Sequence, residues 1–142
     1  MVVAIVGILA AIAYPPFIGF LTSVRYQKSK QDLKNIESEI IAFVETTGHL
    51  PDSLADVGMD GMLDAWGNPY EYLRIDGGTT PGLNGKRRRD RNLNPVNTDF
   101  DLYSKGPDGK SAAQFMAAKA RDDLVRANNG RYFGVAEEHT PL

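Results

Sequence analysis

The residues of this chain best suited to chemistry are carboxylates close to a turn. Asp108 lies in the segment Lys105-Gly106-Pro107-Asp108-Gly109-Lys110, and the adjacent pair Asp122-Asp123 follows it. Calcium takes about six to eight oxygens from carboxylates, backbone carbonyls and water, and a turn built on Pro and Gly exposes carbonyls that three nearby carboxylates complement. The plainer reading, and the one the residues alone favour, is a turn aspartate with helix-surface acids paired to Lys119 and Arg121; the spacing is not that of an EF-hand. GPDGKS at 106–111 resembles a phosphate loop only superficially, because two residues, not four, separate its first glycine from Gly-Lys-Ser. His49 and His139 are far apart in the chain and there is no cysteine. That excludes disulfides, thiolate metal sites and an HExxH zinc site. No nucleophile, base and orienting acid fall together, so the chain reads as no enzyme.

Lys86-Arg87-Arg88-Arg89-Asp90-Arg91 is the strong charge run. It reads first as a solvated loop and second as a contact with acidic residues of a neighbouring subunit. Nucleic acid is not expected as a partner. The net charge is -2, from 16 basic and 18 acidic residues, and no aromatic platform interleaves the run.

These residues need elements to position them. The stretch 1–24 (MVVAIVGILAAIAYPPFIGFLTSV) carries no charged side chain. Twenty helical residues reach about 30 Å, the thickness of a bilayer's hydrocarbon core, so residues 2–21 read as a membrane-capable helix. Arg25, Lys28 and Lys30 alone mildly favour a cytoplasmic C-terminal side. Beyond Arg25, the residues Tyr26, Leu33, Ile36, Ile40, Phe43 and Val44 recur at helical spacing, which predicts that one helix continues to about residue 47. At roughly 70 Å it is too long for a small head to enclose, so its first half must protrude. Pro15-Pro16 predicts a kink or a local unwinding over 11–16, and Gly48 with Pro51 predicts the helix end. Residues 53–57 predict a helical turn, and 70–75 (YEYLRI), 100–103 and 131–135 (RYFGV) predict strands. Residues 76–97 predict a polar loop, and 112–127 have helical composition. The fold class is α+β: a long N-terminal helix packed on a small antiparallel sheet, with 1–24 as a transmembrane or filament-core segment and 25–142 as the head.

Three segments carry a resemblance. Residues 2–15 (VVAIVGILAAIAYP) resemble the N-terminal helix of type IV pilins and pseudopilins. Residues 64–72 (DAWGNPYEY) and 101–109 (DLYSKGPDG) resemble two segments of the major pseudopilins of type II secretion systems. The resemblance implies a pilin-like fold and a subunit that polymerises into a periplasmic pseudopilus. Its partners would be further copies of itself, minor pseudopilins, an inner-membrane assembly platform and a prepilin peptidase. It implies a single-pass inner-membrane protein with a periplasmic head, and a mature N-terminus upstream of Met1 bearing an N-methylated phenylalanine. It also implies one Ca2+, with Asp108, Asp122 and Asp123 giving side-chain ligands and Lys105 and Lys110 giving backbone carbonyls. The Asp-Asp pair lies farther from Asp108 than in the family's pattern, and the loop 76–97 is longer than expected. Two other functions fit the same helix. One is a type IV pilin or minor pilin for adhesion, motility or DNA uptake, and the other is a membrane-tethered monomeric binding or electron-transfer protein.

Overall fold

Apolar residues at three- and four-residue steps need one helix to share a face, and in the computed structural model that helix, α1, runs Val2–Thr47. The structure describes residues 2–91 and 93–140, without the side chains of residues 2 and 10–16. α1 remains helical through Pro15 and Pro16, so the unwinding expected over 11–16 does not occur. Prolines at the fourth turn cost α1 hydrogen bonds without changing its backbone class. The helix ends at Gly48, whose φ of 79° few other residues adopt. Its N–H donates to the Val44 carbonyl at 2.8 Å.

Among the described side chains of α1, the fully buried apolar ones lie in its second half. Leu33, Ile36 and Ile40 are fully buried, whereas Val3, Ile5, Val6, Ile8, Leu9, Phe17, Phe20 and Val24 are exposed. Among the described residues no helix is long and apolar enough to cross a membrane. The span expected over residues 2–21 includes residues 10–16, whose side chains lie outside the described ones.

Four strands form one antiparallel sheet in chain order: β1 (Glu71–Arg74), β2 (Phe100–Ser104), β3 (Leu124–Ala127) and β4 (Tyr132–Val135). Tyr72 pairs with Leu102, Tyr103 with Val125, and Arg126 with Phe133. A 3-10 turn at Leu54–Val57 and a short helix α2 at Leu83–Lys86 complete the head, with a last turn at Ala136–Glu138. The helix expected over 112–127 is not formed. Leu124–Ala127 is instead the third strand, and all four of its residues are buried.

Alternation along the strands gives the sheet two covered faces. On one, Phe100, Leu102 and Leu124 meet Leu33, Ile36 and Ile40 of α1, joined by Leu54 and Tyr70. Each such side chain, fully buried, contributes about 1.5–3 kcal/mol. On the other, Val125 and Ala127 pack with Val96, Phe115 and Ala136. The loop 76–97 thus covers the back of the sheet.

Candidate functional site

The two segments that carry the resemblance fold against each other. Asp64 Oδ1 accepts the N–H groups of Trp66 and Asn68, both at 2.9 Å, and so closes its own turn. Its Oδ2 accepts the Ser104 hydroxyl at 2.5 Å, and Ser104 Oγ accepts the Gly106 N–H at 3.0 Å. Asn68 Nδ2 donates to the Gly106 carbonyl at 2.9 Å. The helix joins them: Ala65 N–H donates to Ser29 Oγ at 3.1 Å, and Tyr26 meets Trp66 edge to face at 4.9 Å. Turn, strand end and helix are one hydrogen-bonded unit, with Asp64 and Ser104 buried at its centre.

The expected ligands lie beside this unit. Gly106 turns at a φ of 63°, and a Cβ there would stand 2.3 Å from the Asp122 carbonyl, so the 105–109 turn rests directly on Asp122. Asp122 Oδ2 accepts the Asp108 N–H at 3.3 Å, and Asp108 Oδ1 accepts the Lys110 N–H at 2.7 Å. Lys105 Nζ pairs with Glu71 at 2.5 Å. Asp108, Lys110 and Asp122 are therefore linked by hydrogen bonds at the 105–109 turn.

Asp123 points elsewhere. Consecutive residues entering a strand face opposite sides, and Asp123 turns under the sheet, where its side chain is fully buried. Its Oδ2 accepts Arg88 Nη2 and the Ser111 hydroxyl. Burial pushes its carboxyl up to about 6 against the pull of Arg88 and Ser111. The expected side-chain ligands therefore do not converge: Asp108 and Asp122 lie at the 105–109 turn, whereas Asp123 is engaged by Arg88 beneath the sheet. Among the described residues no three His, Cys, Asp or Glu side chains are grouped to hold a metal.

Arg88 corrects the reading of the basic run as a solvated loop. Its side chain is 3 % exposed, and Asp90 is buried against His139, whose Nδ1 lies 2.8 Å from Asp90 Oδ2. A second buried arginine, Arg126 on β3, was likewise missed. It donates through Nε to Glu37 of α1 and through Nη2 to Asp99, each at 2.6 Å, and stacks on Phe100 at 3.9 Å. Neither arginine has a local sequence signal, since their partners lie far along the chain.

A long helix laid on a four-stranded antiparallel sheet is an α+β fold of the type IV pilin-like kind. Over 131 aligned residues the chain is 28% identical to the type II secretion system core protein G of Pseudomonas aeruginosa, covering 78% of this chain and 79% of that protein. This likeness supports its recognition as a major pseudopilin. No family model matches the chain. No solved structure matches it either.

Proposed function

We propose that the chain is a structural subunit that polymerises through α1 into a periplasmic pseudopilus serving type II secretion. The observation that carries this reading is the uncovered apolar surface of α1. Ile8 is 62% exposed, Leu9 61% and Phe20 63%, far more apolar surface than a folded monomer leaves in water. Burial against neighbouring copies supplies about 1.5–3 kcal/mol for each such side chain fully covered. Before assembly the uncharged stretch 1–24 is held in the inner membrane, with the head in the periplasm; the type II secretion relative supports that location. Minor pseudopilins, an assembly platform and a prepilin peptidase complete the set of partners.

Electron microscopy of cells carrying the chain with its secretion apparatus tests the proposal. The wild type forms filaments, and the double variant Ile8→Lys, Phe20→Lys forms none while its head keeps the wild-type unfolding midpoint. Filaments persisting in the variant, or a wild-type chain that stays monomeric, would refute this role for α1.

A further inference from the structure

We propose that Arg88 is an internal cation that takes up Asp123, one of the side chains the family resemblance assigns to calcium, so that residues 105–123 are held closed without a metal ion. The guanidinium takes the kinds of ligand a calcium ion would take. Nη2 donates to the Asp123 carboxylate, and Nη1 donates to Ser111 Oγ at 2.7 Å and to the Ala112 carbonyl. Its face lies 3.9 Å from the centroid of Tyr103 and 5.5 Å from that of Phe115. A guanidinium suits this place because it is planar, weakly hydrated and forked, which a compact ammonium is not.

The long loop delivers it. Arg88 N–H donates to Asp101 Oδ2 at 2.7 Å, and Asn97 Nδ2 steadies the other Asp101 oxygen at 2.9 Å. Arg89 N–H donates to the Ala113 carbonyl at 2.9 Å, and Phe115 N–H returns a bond to the Arg89 carbonyl at 3.0 Å. The segment around Arg88 is thereby sewn to 111–115, so the extra length of 76–97 has a structural use: it carries a positive charge under the sheet. The charge balance opposes a second cation. Lys86, Lys105, Lys110 and Lys119 line the groove beside Arg88, and Asp123 Oδ1 is the one oxygen of that carboxylate left without a partner.

This inference rests on the fold and the Arg88 contacts, not on filament assembly, so its failure would leave the filament proposal standing. The test is made on the full chain in mild detergent. Equilibrium dialysis is expected to find no stoichiometric calcium, and the unfolding midpoint is expected to be the same with millimolar calcium and with a chelator. Arg88→Gln lowers the midpoint by on the order of 10 °C, and Arg88→Lys recovers only part of the loss. One calcium bound per chain, a calcium-dependent rise of several degrees that Asp123→Asn abolishes, or an Arg88→Gln variant as stable as the wild type would each overturn the proposal. If Arg88→Gln does not fold, dialysis of the wild type decides alone.

Discussion

Replacing Arg126 with leucine keeps much of its volume and removes its charge and all its donors. Arg126 is 3 % exposed in its side chain and ties three elements: Glu37 on α1 at 2.6 Å, Asp99 ahead of β2 at 2.6 Å, and the Phe100 carbonyl at 3.1 Å. Removing one member of a buried ion pair costs about 3–5 kcal/mol, mostly because its partner is left charged and dry. Here the partners are partly wet, with Glu37 16% and Asp99 32% exposed in their side chains, so both recover some hydration. The expected loss is at the lower end, about 3 kcal/mol, or roughly 8 °C in the midpoint for a chain of this size. Urea unfolding of Arg126→Leu, Glu37→Gln and the double variant separates the contributions. The α1 link should appear as a coupling of about 1 kcal/mol or more between the two sites. A single-variant loss below about 1 kcal/mol, or effects that simply add, would show that Arg126 does not pin the helix to the sheet.

Two further outcomes are expected. Gly106→Ala places a methyl 2.3 Å from the Asp122 carbonyl at a backbone φ of 63°, so the 105–109 turn must shift; a loss of about 2 kcal/mol in urea unfolding checks this, and a neutral effect would mean the turn does not press on Asp122. Asp123 gives a pH signature. Burial pushes its carboxyl up to about 6 from an ordinary value of 3.8. The folded form therefore holds this proton at higher pH than the unfolded chain, and the group's contribution to stability falls as pH rises from about 4 to 6. Across that window the difference in unfolding free energy between wild type and Asp123→Asn should change by up to about 3 kcal/mol, and a flat difference would contradict the shift.

What the sequence determined by itself were the features set by near neighbours. The spacing of Leu33, Ile36 and Ile40 marks the buried face of α1 because a helix repeats every 3.6 residues. Gly48 marks its end, and the alternation in YEYLRI marks β1. The uncharged run 1–24 announced a surface in need of cover. β3 escaped because it lies between β2 and β4 and is buried on both faces, so LVRA shows no alternation, and such a run cannot be told from a helix segment by periodicity alone. The fate of the charges was decided only in three dimensions. Lys86 and Arg88 belong to one basic run, yet Lys86 is exposed and Arg88 is buried. The carboxylate that makes burial tolerable for Arg88 is Asp123, 35 residues away. Asp122 and Asp123 look alike in sequence, and a strand's alternation sends one to the 105–109 turn and the other beneath the sheet. A charged side chain can leave water only where its partners are already fixed, and those partners are placed by the packing of the whole head.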